Sequence, residues 1–129
     1  MISPGEVNLP HVKAELEAVF QRYEAALMAN DLTALDAHFW NDPRVVRFGP
    51  AENLYGIEAV RAYRSARDAS GVSRQLVQTL ITTFGENAAV ATTEFIRAGQ
   101  TGRQTQNWIR FAEGWRIVSA HVSLLGPTA

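Results

Sequence analysis

Residues 115–125 read WRIVSAHVSLL. Strict alternation puts Trp115, Ile117, Ser119, His121 and Ser123 on one face of a strand and Arg116, Val118, Ala120, Val122 and Leu124 on the other. Both faces are substantially apolar, so both are expected to be covered. Helices of a single domain of 129 residues cover only one of them. The second is therefore expected to meet another subunit, which predicts a two-fold homodimer through the sheet.

Working back from this strand, residues 72–84, 88–97 and 102–111 are equally rich in Val, Ile, Thr and aromatic residues. The links 85–87, 98–101 and 112–114 are hairpin-sized, so the four segments predict an antiparallel meander. In 102–111 the parity sets Gln104, Gln106, Trp108 and Arg110 against Arg103, Thr105, Asn107 and Ile109. We assign Gln106 and Trp108 to the concave side, because aromatic and amide groups suit a polar-tipped pocket. Upstream, Val12, Leu16, Val19, Phe20, Tyr23 and Leu27 recur at helical spacing over 10–30. Asp31 is placed to cap a second helix over 33–39. After the Asn41-Asp42-Pro43 turn, 44–48 reads as a strand and Gly49-Pro50 as a loop. A third helix is expected over 56–68, ending near Ser70-Gly71, with Arg61, Arg64 and Arg67 read as surface residues and the pocket mouth within reach of Arg64 or Arg67 as the alternative. The whole is α+β: one domain over 1–129, a cone-shaped curved antiparallel sheet wrapped around three N-terminal helices, its inside only partly filled.

The composition narrows the possible functions. Twelve basic against thirteen acidic residues give a net charge of -1, with no basic surplus for nucleic acid or an anionic membrane. Eleven of the twelve basic residues are arginine, the side chain best matched to carboxylates. The absence of cysteine excludes disulfides, thiolate nucleophiles and thiolate metal sites. The first ten residues lack the pattern of a signal peptide and no stretch is long and apolar enough to span a bilayer, so a cytoplasmic protein is expected. Three scattered histidines (His11, His38, His121) have no paired ligand spacing, and neither a metal nor a cofactor is expected. Phosphate-loop, nucleophile-elbow and zinc-protease motifs are missing.

Two residues stand out. Tyr23 lies on the apolar stripe of the first helix, where it is either a core tyrosine or a group facing a pocket. Arg47 is a charge inside the short strand around Val45-Val46-Arg47-Phe48. Alternation pairs it with Val45 against Val46 and Phe48, and the pattern alone does not choose which set faces inward. No acidic residue is assigned to the interior, since Glu52 falls in a loop and Glu94 alternates outward. That disfavours proton abstraction by an inward carboxylate, as in steroid isomerases, and hydrolysis by an Asp-Arg-Asp arrangement.

The order of elements, closing in GWRIVSAHVS, resembles the SnoaL-like branch of the nuclear transport factor 2-like superfamily. More narrowly, RYEAAL (22–27), FWNDPRVVRFG (39–49), ENLYGIEAVRAYR (52–64) and GRQTQNWIRFAEGWRIVSAHVS (102–123) resemble the AtzH/HpxZ group, over residues 7–125. The resemblance implies a cofactor-independent decarboxylase that converts 1,3-dicarboxyurea to allophanate in cyanuric acid or ureide breakdown. The group's functional tyrosine and arginine match Tyr23 and Arg47. Trp40, Asn53, Tyr63, Gln106, Trp108, His121 and Ser123 complete the expected substrate-binding set, with Trp40, Trp108 and Phe20 as apolar walls. The expected partner is a small anionic carboxylate. The alternative is a non-catalytic carboxylate-binding accessory protein for an amidase of oxalurate or ureide breakdown.

Overall fold

The N-terminal amphipathic pattern forms a helix, α1 (Pro10–Met28), in a computed structural model that describes residues 1–68 and 73–126. Pro10 opens it, where a missing N–H costs nothing. Its buried stripe is Val12, Leu16, Val19, Phe20, Tyr23 and Leu27, with Ala26 added. Asn30 ends it in a left-handed conformation (φ 49°), and the amides of Asn30 and Asp31 bond back to Leu27 and Ala26. This is the Schellman arrangement, with asparagine standing where glycine is commonest. Asp31 then caps α2 (Leu32–Ala37) by accepting from the Ala34 amide at 3.1 Å.

β1 (Val46–Phe48) lies parallel to the last strand, and β2 (Asn53–Tyr55) folds back antiparallel on β1. The sequence reading had only a loop after Gly49-Pro50, because three residues carry too little alternation to register as a strand. After α3 (Ile57–Ala66), β3 (Gln75–Phe84), β4 (Ala88–Arg97), β5 (Gln100–Phe111) and β6 (Gly114–Leu124) form the expected meander. The expected helix end at Ser70-Gly71 and strand start at Val72 lie outside the described residues. The six strands run in the order β2-β1-β6-β5-β4-β3. Along the β3 edge, Val7 bridges Phe84, and Asn8 exchanges hydrogen bonds with Thr83. A peptide from the N-terminus thus covers backbone groups that would otherwise be left open.

One parity assignment needs correction. In β6 the register steps from Ser119 opposite Asn107 to Ile117 opposite Trp108, so Val118 is an extra residue in the ladder. Such a bulge reverses the faces beyond it. Trp115 and Ile117 point inward before the bulge, and Ala120 and Val122 do so after it, all buried. Ser119, His121 and Ser123 therefore do not share a face with Trp115 and Ile117, and His121 is exposed. In β5 the inward set is Gln104, Gln106 and Trp108. The core joins the α1 stripe to Leu35, Phe39, Val45, Val60, Ile81, Ala89, Ala91, Trp108 and Ile117. Each large side chain buried there contributes about 1.5–3 kcal/mol of transfer free energy. No helix among the described residues is long and apolar enough to cross a membrane.

Candidate functional site

At one end of the cone the hydrocarbon core gives way to arginine. Tyr23 and Leu27 of α1, Gln104 of β5 and Val122 of β6 line a small cavity there together with Arg47, Arg64, Arg67, Arg74 and Arg97. Its free volume is about 20 Å³, room for a single water-sized guest. A larger guest requires the arginine side chains to swing aside.

Carboxylates hold three of these guanidinium groups. Arg47 donates to Glu52 at 2.8 Å, Arg64 to Asp36 at 2.7 Å, and Arg74 bonds Glu24. Aromatic rings support them as well. Arg64 lies 4.5 Å above the Phe39 ring, Arg47 lies 5.5 Å from that of Tyr63, and Arg74 and Arg97 flank Phe95 at 4.6 and 5.3 Å. Glycines make room for two of these contacts. A Cβ on Gly102 would sit 2.3 Å from the Phe95 ring, and one on Gly49 would sit 1.8 Å from the Glu52 carboxylate.

Arg67 differs from its neighbours. Its Nε and Nη2 are buried and have no hydrogen-bond partner among the described residues. Burial, then the charges of Arg64 and Arg47, make its guanidinium easier to deprotonate than an ordinary arginine. Burial does the same to Arg97, with Arg74 and Arg67 as the next causes. Electrostatically, the cavity disfavours further positive charge and suits an anion.

Tyr23 is 3% exposed. Its ring meets those of His38, Trp108 and Phe39 at centroid distances of 5.8, 6.4 and 6.4 Å. Its side chain lines the arginine cavity beside Leu27 and Arg47. Behind it, His38 donates Nδ1–H to the Ala34 carbonyl at 2.7 Å, which leaves Nε2 unprotonated in the neutral ring. Burial lowers the His38 pKa. The Ala34 bond opposes this, and Arg116, Arg22 and Arg64 add to it.

The structure thus gathers Tyr23 and Arg47 at one cavity and sets Arg47 inward, a direction the sequence left open. Tyr63 reaches the cavity through Arg47. Gln106 and Trp108 are fully buried behind Tyr23, where the indole Nε1–H donates to Gln106 Oε1 at 3.2 Å. The others lie elsewhere. Trp40 stacks on Phe111 at 5.5 Å, away from the cavity, and so forms no wall of it; nor does Phe20. Asn53 is exposed on β2, His121 packs edge-on against Phe48 at 5.8 Å, and Ser123 lines a hollow on the outer face of the sheet. The sequence reading missed Arg74, Arg97 and Gln104; it favoured the surface for Arg64 and Arg67, with the pocket mouth as its alternative, and both line the cavity. Arg64 is 3% exposed, and only Arg61 of that trio is fully on the outside. The spacing of Ile57, Val60 and Arg64 sets Arg64 on the apolar stripe of α3, and Gln104 shares the parity of Gln106 and Trp108. Those two signals were available. Glu52 also departs from expectation, since its carboxylate turns inward to Arg47 rather than to solvent, with a side chain 14% exposed. Among the described residues no group of His, Asp or Glu side chains is arranged to hold a metal ion.

A curved sheet wrapped around three helices, with a polar cavity at one end, is the nuclear transport factor 2-like fold. A nuclear transport factor 2-like superfamily protein of Salmonella enterica superposes with a TM-score of 0.76 at 24% identity, covering 92% of this chain and 94% of that one. The AtzH-like family model matches residues 5–128, and the chain belongs to that family. A DUF3225-family protein of unknown function from Pectobacterium atrosepticum is 52% identical, with a TM-score of 0.95 over 98% of this chain and all of that one. A cystatin-like fold protein from Burkholderia xenovorans is 45% identical, with a TM-score of 0.90 over 95% of this chain and 98% of that one. No curated protein matches the chain.

Proposed function

We propose that the protein is a cofactor-independent decarboxylase of a small N-carboxylated urea, converting 1,3-dicarboxyurea to allophanate in cyanuric acid or ureide breakdown. One observation carries this reading: Tyr23 and Arg47 line one small cavity crowded with arginine.

The chemistry follows from charge. In 1,3-dicarboxyurea the bond between a urea nitrogen and a carboxylate carbon breaks. Its electron pair stays on nitrogen, delocalised into the urea carbonyl, and carbon dioxide leaves. Tyr23 gives its proton to that nitrogen and recovers one from solvent, so no electron sink is needed. Such positioned proton transfer is typically worth about 10²- to 10⁴-fold. Arg47 holds a carboxylate through its planar fork. Glu52 and the Tyr63 ring orient that fork.

Purified protein should accelerate conversion of 1,3-dicarboxyurea to allophanate. Tyr23→Phe should lower the rate about 10²- to 10⁴-fold without shifting the melting temperature. An Arg47→Met/Glu52→Gln double variant, which leaves no unpaired charge behind, should do likewise. Wild-type rates from both variants would contradict the roles, and binding of dicarboxylates without turnover would favour an accessory binding protein.

We further propose that two copies pair through the outer face of the sheet. Leu80 and Ile96 are exposed there, at the margins of a hollow of about 610 Å³ that includes Gln78, Glu94, Arg103 and Ser123. Sedimentation should give a dimer mass for the wild type and a monomer for Leu80→Asp; a wild-type monomer would refute the pairing.

A further inference from the structure

Within the reaction proposed above, the two ends of 1,3-dicarboxyurea are chemically identical, yet only one carboxylate is lost. We infer that the cavity tells them apart with two unequal arginines: Arg67 holds the carboxylate that is retained, while Arg47 and Tyr23 address the one that departs.

The two guanidinium groups differ in what already neutralises them. Arg47 carries Glu52 at 2.8 Å, so a carboxylate arriving there shares a cation that is largely answered. Arg67 has no carboxylate among the described residues, and its Nε and Nη2 are buried and unpartnered. Those two atoms lie on one edge of the guanidinium plane, the edge that grips a carboxylate by two parallel hydrogen bonds. An anion bound there gains more than one bound at Arg47, because it also gives partners to two buried N–H groups that otherwise have none among the described residues. The asymmetry suits the chemistry. A carboxylate that must leave as neutral carbon dioxide is hindered by every contact that stabilises its charge more in the ground state than in the transition state. The leaving group therefore belongs at the pre-neutralised Arg47, beside the Tyr23 proton, and the permanent carboxylate belongs at Arg67. Arg64 and Arg47 both act on Arg67 through space, and all three line the same cavity. The same division keeps the product from reacting again: allophanate held by its carboxylate at Arg67 presents no second carboxylate to Tyr23.

The inference rests on the decarboxylase reading for its substrate, and inert probes separate the two. Glutarate spaces two carboxylates by three atoms, as dicarboxyurea does, and butyrate carries one. Calorimetric titration of the wild type should show glutarate binding more tightly than butyrate. Arg67→Met should weaken glutarate about 10- to 100-fold, the range for hydrogen bonds to a charged group. Butyrate should also weaken, but clearly less than glutarate, because its one carboxylate can fall back on Arg47. Arg67→Lys, which keeps the charge but not the fork, should fall between. Without ligand, Arg67→Met should melt at or above the wild-type temperature, since it removes two buried N–H groups that have no partner among the described residues. A wild type without glutarate preference, an equal loss for both probes, or a destabilised Arg67→Met protein would each overturn the inference. Glutarate selectivity that depends on Arg67 in a protein that does not turn over dicarboxyurea would leave the inference standing and remove the decarboxylase.

Discussion

The two ends of the cone are built from opposite materials. At one end Leu16, Leu35, Trp108 and Ile117 are each fully buried in hydrocarbon. At the other, five arginines converge on a cavity with room for about one water. The first end lowers the free energy of the fold with every residue. The second raises it, since like charges are crowded where solvent screens them poorly. Glu24, Asp36 and Glu52 offset part of that cost. A fold does not gather cations inside for stability, so the difference between the ends marks where function overrides packing.

The comparison can be broken from either side. Trp108→Ala opens a cavity in the hydrocarbon end and should destabilise by about 3–5 kcal/mol in denaturant unfolding; a loss below 1 kcal/mol would show that this end is not tightly packed. In the arginine end, Asp36→Asn strands the Arg64 charge, which is 3% exposed, and should cost about 3 kcal/mol. Adding Arg64→Met to that variant should recover most of the loss, because the stranded charge rather than the missing pair is what destabilises. A double variant no better than Asp36→Asn alone would mean that the ion pair itself holds the fold. The smallest effect concerns the boundary between the ends, where His38 contacts the Tyr23 ring. Burial lowers its folded-state pKa below the ordinary 6.5, so the unfolded chain takes up a proton first as pH falls. The contribution of neutral His38 is therefore complete above about pH 6.5 and declines below it. Unfolding between pH 7.5 and 5 should show a smaller loss of stability for His38→Asn than for the wild type, and equal losses would remove His38 as the cause.

The hydrocarbon end was readable from the sequence because periodicity reports burial: the α1 stripe and the β5 parity lead to the residues that pack there. The arginine end was harder. Arg97 ends β4 and Arg74 precedes β3, positions where a charge ordinarily meets water, and no local pattern separates a solvated arginine from one turned inward. Glu52 escaped notice for a related reason, since a loop carboxylate reads as exposed until its cation is located. The misplacement of His121 and Ser123 comes from a single residue. Val118 adds one step to β6, and strict alternation cannot anticipate a bulge. Helix periodicity and strand parity drew attention to Tyr23 and Arg47 but left both undecided, and their expected roles came from family resemblance.

The most direct test of the central claim is the rate at which purified protein converts 1,3-dicarboxyurea to allophanate, measured beside Tyr23→Phe at equal concentration. The account predicts clear acceleration over the uncatalysed reaction by the wild type and a loss of about 10²- to 10⁴-fold in a variant that folds normally. Equal rates for the two proteins, or no acceleration by either, would contradict it.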